Sequence, residues 1–390
     1  MTQRSSQKQE PIKIPQKELW TKRLTDLEIV RRAAIESPLV EVEAVVEGNN
    51  RVLLKFESQQ LIKSFKIRGA TYAMASDLES LRRRGIVADS GGNHAQAVAL
   101  AGRELGVPVQ VVMASVVPEN KKRATQGFGA TDGSFTLDTT PESFVDAKIK
   151  AKSIAGLDEH GRPPVDSDNY PKYLSPYDDP AIVRGTATIV PELVGQLEKA
   201  NLAMPDAVHI PIGGGGLISG IADVNLEQGH LFDLYGHGLT SADSAARSLR
   251  AARTHDSPSP TPVEGDPNVI AEGLAVKVIG EEGYKRIKEG KIDDIYTSEL
   301  ADVGEAYEWF IANVLPQLGV DTNNEEAVWD SLPEHSSMVA LAGMFRHIRE
   351  TDAHDKTHLV LISGANIDRV KIHKAMEAYK AAKRDRAATS

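Results

Sequence analysis

The chain has no cysteine in its 390 residues, which excludes disulfides, thiolate metal sites and a thiol nucleophile. No apolar run approaches membrane-spanning length, and the N-terminus from Met1 to Lys13 is polar, without the hydrophobic core of a secretory signal. Positive charge is in deficit. With 45 Lys and Arg against 55 Asp and Glu, the net charge is -10, and such a balance disfavours a nucleic-acid polyanion as the main partner. The short basic runs Arg82-Arg83-Arg84 and Lys121-Lys122-Arg123 read as solvated helix faces. These absences suit a cytoplasmic protein, outside the membrane, with small-molecule business.

What is present is an ordinary globular composition, 41% hydrophobic and 26% charged, long enough for two domains or subdomains. Short apolar runs at 51–57, 85–88, 107–113, 207–212 and 358–363 predict buried strands, most of them followed by glycines or helix caps. That alternation predicts an α/β fold with open, mostly parallel sheets and helices on both faces. The segments 157–170 and 318–333 break the rhythm and predict long loops, and 254–267 predicts an irregular excursion. Both ends, 1–15 and 380–390, are expected to be disordered tails.

Four strand-end segments carry the chemistry. Ser64-Phe65-Lys66-Ile67-Arg68-Gly69-Ala70 places a lysine between an extended run and a helix expected from 69 to 81. Lys66 is there either a partly desolvated, reactive amine or a helix-start lysine with its stem packed. Gly213-Gly214-Gly215-Gly216-Leu217 follows a strand and opens a helix, so its N–H groups suit a phosphate; the other reading is a tight turn without ligand. The spacing is neither the dinucleotide fingerprint nor a Walker loop. Ser90-Gly91-Gly92-Asn93-His94 is a cradle for a substrate carboxylate, or an N-capped helix start. Ser363-Gly364-Ala365-Asn366 offers one neutral hydroxyl. An amine, a phosphate cradle, a carboxylate cradle and a neutral ring-nitrogen partner match pyridoxal 5'-phosphate holding an amino acid.

In order and sequence these four segments resemble the motif set of the threonine/serine dehydratase (ammonia-lyase) family, to which serine racemase also belongs. Tyr177-Asp-Asp-Pro180 and Ile270-Ala-Glu-Gly273 are similar to further family motifs, and the likeness runs from residue 20 to 375. The resemblance implies the tryptophan synthase β-like architecture, with 16–78 and 186–379 as a large cofactor domain and 79–185 as a small inserted one. It implies that Lys66 forms the Schiff base, Phe65 backs the ring, Asn93 meets the ring hydroxyl, Gly213 to Leu217 hold the phosphate and Ser363 faces the ring nitrogen. Ser64, Ser90, Gly91, Gly92, Asn93 and His94 would hold the substrate. A homodimer is implied, and no regulatory domain is expected after Ser363.

The expected reaction is α,β-elimination (deamination) of a β-hydroxy amino acid such as threonine or serine to a 2-oxo acid and ammonia. Rivals are β-replacement, racemisation and a catalytically silent binding protein on the same scaffold. Four departures bear on the choice. Ile62-Lys63 replaces the family's Thr-Gly before the lysine motif. Gly91 stands where dehydratases have Ala and the racemase has its proton-donating Ser. Gly238 replaces the glutamate of a racemase-type metal loop near 235–244, so no metal site is predicted. Glu334-His335 replaces the family's Glu-Pro.

Overall fold

The computed structural model describes residues 12–254, 257–264, 271–274 and 276–389. Ten strands are named in chain order: β1 Leu39–Val46, β2 Asn50–Lys55, β3 Ile86–Asp89, β4 Val109–Val112, β5 Phe135–Asp138, β6 Lys172–Tyr173, β7 Ala207–Pro211, β8 Asp233–Leu239, β9 Asp294–Ser298 and β10 Thr357–Leu361. They form two sheets, six strands in the order β1-β2-β10-β7-β8-β9 and four in the order β5-β4-β3-β6. Only the β1–β2 pair is antiparallel among these ladders.

The period of two along β2 explains why helices cover both faces of the larger sheet. Val52 and Leu54 pack with Tyr307, Phe310 and Val339 on one face. Leu53, turned to the other face, packs with Leu193, Ile218 and Ile221. In β10, Val360 and the flanking Leu359 and Leu361 divide between the same two cores. Every residue of β7 is buried, as a central parallel strand requires.

Several expectations need correction. The helix expected at 69–81 begins earlier, with Lys66 as its first residue, and ends at Ala75; a second helix runs Leu78–Arg84. Asp77 between them has non-helical backbone angles, which break the helical run there. Ile67, Ala70 and Met74 of the first helix share a core with Ile86, Ala88 and Val111 of the small sheet. The expected boundary at 78 therefore cuts through a packed unit. The supposed loop at 318–333 contains the helix Glu325–Ser331, capped by the Asn324 side chain, which accepts the Ala327 N–H at 3.2 Å. The expected tail after 380 is helical: Arg369–Thr389 is one helix, rich in Ala, Lys and Arg, which lose little entropy in that state. Residues 257–264 are irregular as expected; 255, 256 and 265–270, with the Ile270 of the family-like motif, lie outside the described residues, as does most of the tail expected at 1–15. Among the described residues no helix is long and apolar enough to cross a membrane.

Candidate active site

All four chemical segments follow the C-terminal ends of strands, β2, β3, β7 and β10, where open α/β sheets collect ligands. Backbone bonds draw two of them together. Phe65 N–H donates to Ser363 O at 3.0 Å, and Ser64 bridges Gly364. Asn366 donates its side-chain amide to Asn93 Oδ1 at 2.6 Å, which brings the third segment, from the other sheet, against the fourth.

Lys66 lines a narrow pocket with Phe65, His94, Pro176, Gly216 and Leu217, so the glycine turn is the fourth member. Its Nζ donates to Pro176 O at 2.6 Å and lies 5.1 Å from the Phe65 ring centre. Burial pulls the amine down to about 8, with the Glu334 carboxylate opposing. The resulting amine gives up its proton far more readily than a surface lysine.

His94 donates Nε2–H to Leu174 O at 3.0 Å, a carbonyl that fixes the tautomer, and its Nδ1 is buried without a partner. Burial and the Lys66 charge hold the ring neutral, down to about 3. It belongs to the inner pocket with Lys66. Ser90 Oγ accepts Gly92 N–H at 3.2 Å, and Ser64 Oγ lies 3.5 Å from Lys66 N; both stabilise their own turns. Gly91 has a steric reason to be glycine: a Cβ there would lie 2.7 Å from Val117 Cγ2 and 3.1 Å from Phe144 Cε1. Gly92 has open space on that side.

Gly215 holds φ +92°, a left-handed conformation that other residues resist, and this turns the chain from β7 into the helix Gly216–Glu227. The first N–H of that helix with a backbone acceptor is Ser219's, to Gly215 O at 3.0 Å. Among the described residues the preceding N–H groups have no backbone acceptor, an arrangement that suits an anion. Tyr177 closes over this turn: a Cβ on Gly214 would sit 2.2 Å from its ring. The sequence had marked Tyr177 only as part of a resemblance.

Sequence reasoning also missed the surroundings of Ser363. Its Oγ lies 3.3 Å from both Ser336 and Ser337 Oγ, at the start of the helix His335–Thr351. Ser336 donates to Glu334 Oε1 at 2.5 Å, and Asn93 donates to Glu334 Oε2 at 3.0 Å. Burial holds the Glu334 carboxyl above its ordinary range, against those hydrogen bonds. The only sequence signal was the altered dipeptide Glu334-His335; two serines beginning a helix carry no signature of their own.

The racemase-type metal segment is β8 followed by the turn Thr240–Ala242. His230, Asp233 and Asp293 bring ligand-type atoms together at the opposite, N-terminal end of β8, away from this pocket.

A desolvated amine, free N–H groups at a glycine turn and an unpartnered His94 nitrogen in one pocket fit an anionic, carbonyl-bearing cofactor. Comparison with known proteins gives that class its family. The model described as "Pyridoxal-phosphate dependent enzyme" matches residues 30–364, and the chain belongs to this family, whose cofactor is pyridoxal 5'-phosphate. The biosynthetic L-threonine dehydratase of Pasteurella multocida is 32% identical over 337 residues, 85% of this chain and 56% of that protein. The chain thus spans little more than half the length of such relatives. The catabolic L-threonine dehydratase of Staphylococcus aureus is 27% identical over 350 residues, covering 89% of this chain and 88% of that one. The processed threonine deaminase isoform 2 of Solanum lycopersicum superposes with a TM-score of 0.73 at 28% identity, over 95% of each chain. The architecture is that of the tryptophan synthase β-like, fold type II enzymes.

Proposed function

We propose that this protein eliminates water from a β-hydroxy amino acid such as threonine or serine, and that the resulting enamine takes water back on hydrolysis to a 2-oxo acid and ammonia. The observation that carries the reading is one pocket holding a lysine pulled down to about 8 together with His94 and the glycine turn, with the Ser363 segment joined to the Lys66 segment by a backbone hydrogen bond. Pyridoxal phosphate, when bound, supplies electron withdrawal at the substrate's Cα.

Lys66 holds the cofactor through its amine and, released by substrate, takes the Cα proton from one face. The N–H groups from Gly213 to Leu217 hold the phosphate. The start of the helix Asn93–Leu105, with Ser90, Gly91 and Gly92 before it, receives the substrate carboxylate, and the Asn93 amide supports the ring hydroxyl. Ser363 donates a hydrogen bond to the ring nitrogen without giving it a carboxylate partner. Gly91 has no acid to return a proton on the second face, and Val117 and Phe144 occupy the space where one would stand. Both features favour expulsion of the β-hydroxyl over racemisation.

The small sheet with its helices is proposed as the substrate-side domain, and the protein as a cytoplasmic homodimer; the motif resemblance supports the dimer, which sedimentation at micromolar concentration would test. To test the reaction, the cofactor-loaded protein is given threonine, serine and other β-substituted amino acids, and 2-oxo acid, ammonia and modified amino acids are measured together. Stoichiometric 2-oxo acid and ammonia are expected. Lys66→Ala should lower turnover by at least about 10²-fold, and borohydride should no longer fix the cofactor to the chain. Failure of borohydride to fix it to Lys66 in the wild type would sink the reading.

A further inference from the structure

Ile62-Lys63, standing in place of the family's Thr-Gly, has no part in the reaction described so far. Ile62 is buried and packs with Ile67 and Ala70 in the core of the small sheet, so of the pair it is the lysine that faces solvent. Lys63 holds φ +55°, a left-handed conformation that glycine adopts freely and that residues with a Cβ resist. Both of its backbone groups are committed: its N–H donates to Gln60 O at 2.7 Å, and its carbonyl accepts Ala365 N–H at 2.9 Å. The turn is fixed from both sides, and it carries a side chain where a bare backbone would be less strained. A strained position of this kind points to a use for the side chain.

The surroundings say what that use is. Lys63 stands three residues before Lys66, and its turn is tied to the substrate side of the pocket. Asn366 donates its amide both to Ile62 O at 3.0 Å and to Asn93 Oδ1 at 2.6 Å. The other cations of the site have tasks already. Lys66 is kept for the cofactor, and Arg68 is spent on Glu57 and Glu192. Lys121, in the first turn of the helix Glu119–Phe128, acts on the Glu334 carboxyl, which is buried against Gly364 and held by Asn93 and Ser336. Lys63 is exposed and has no ion pair among the described residues. On a chain of net charge -10, a lysine at the mouth also draws in an anion that the bulk of the protein would repel.

We propose that Lys63 is a specificity-determining residue whose ammonium meets a second carboxylate, so that the preferred substrate is a β-hydroxy amino acid with an acidic side chain. This rests on the reading above that the site eliminates water from β-hydroxy amino acids. The four-carbon stem of lysine lets the charge swing across the mouth. One ammonium balances one carboxylate, whereas a phosphate brings up to two charges and three acceptor oxygens. The bonds made and broken are those of the same elimination: water leaves, the enamine takes water back, ammonia departs and the product is a 2-oxo diacid.

The test offers the holoenzyme 3-hydroxyaspartate, serine and threonine in parallel and follows 2-oxo acid. In wild type, kcat/KM should be at least about 10-fold higher for the diacid than for serine. Lys63→Gln keeps the stem without the charge, and Lys63→Gly restores the residue of the family pattern. Each should lower that ratio by about 10-fold or more, through KM, and Lys63→Arg should keep most of it. A second measurement needs no turnover: by calorimetry, succinate should bind the holoenzyme more tightly than butyrate, and the difference should vanish in Lys63→Gln. A wild-type ratio near or below one, or a preference for the diacid that survives Lys63→Gln and Lys63→Gly, overturns the assignment. Turnover of serine and threonine without that preference removes this inference alone. Absence of 2-oxo acid from all three amino acids removes the reading beneath it as well.

Discussion

Lys66 owes its chemistry to its surroundings. A lysine on a surface stays charged to beyond pH 10, whereas here burial lowers the amine to about 8. The neutral amine is the nucleophile, so capture of pyridoxal phosphate by the cofactor-free protein should accelerate as pH rises, with a midpoint near 8, and level off above it. Stopped-flow absorbance at a series of pH values would show this; a midpoint near that of a free lysine would contradict it. Gly91 offers a second test at this scale. Gly91→Ala places a methyl 2.7 Å from buried Val117 and should displace the loop that receives the carboxylate, raising KM by about 10-fold or more. Adding Val117→Ala should recover much of that loss. The sequence could show that residue 91 lacks a side chain. It could not show that Val117 and Phe144 already fill the space, because those residues arrive from beyond the next strand and from a later helix.

The helix that begins with Lys66 is held by a buried charge network. Arg68 donates to Glu57 at 2.8 and 2.7 Å and to Glu192 at 2.7 Å, and Lys55 Nζ donates to Glu192 at 2.6 Å, all four side chains being almost fully buried. Burial by itself would push the Glu192 carboxyl up, but Arg68 and Lys55 outweigh it and hold it down to about 2. The network ties the lysine helix to β2, to the turn after it and to the helix Ile189–Ala200. Arg68→Met would take the guanidinium from buried Glu57 and leave Glu192 to Lys55 and Arg31, and should cost about 3–5 kcal/mol in urea unfolding. Arg68→Lys keeps the charge but loses the fork that meets both Glu57 oxygens, and should cost less. Arg68 was legible as a motif residue. Its partners were not, since Glu192 lies 124 positions away and nothing local marks a glutamate as buried.

Across the whole molecule, the larger sheet carries a row of histidines behind the helix His335–Thr351. His209 on β7 meets His237 on β8 at 2.9 Å and His358 on β10 at 3.0 Å, and His347 of the helix stacks near them against Tyr235. Burial keeps His237 down to about 3 and His358 to about 4, with His209 also well below its ordinary value. A base with a depressed folded pKa takes up its proton first in the unfolded chain, so stability is full above about pH 6.5 and falls as pH drops below it. At pH 5 each of His237 and His358 should have lost about 2 kcal/mol of stabilisation. Calorimetry from pH 7.5 to about 5 should show Tm falling, and more gently in His237→Asn. A Tm indifferent to pH in that interval would contradict the account. Gly343 exists for this row, as a Cβ there would lie 1.9 Å from His237 Nδ1.

By itself the sequence determined the alternation of buried strands and helices, the strand-end positions of the four chemical segments and the resemblance of their order to a family. These are properties of local pattern, and hydrophobic period and glycine placement are written residue by residue. Only the tertiary structure decided that Lys66 opens its helix, that Asn93 of one sheet meets Glu334 and Asn366 beside the other, and that Ser363 stands among two further serines. Those relations depend on which strand ends are brought edge to edge. Hydrogen-bond direction and desolvation arise only once distant parts of the chain share one dry space.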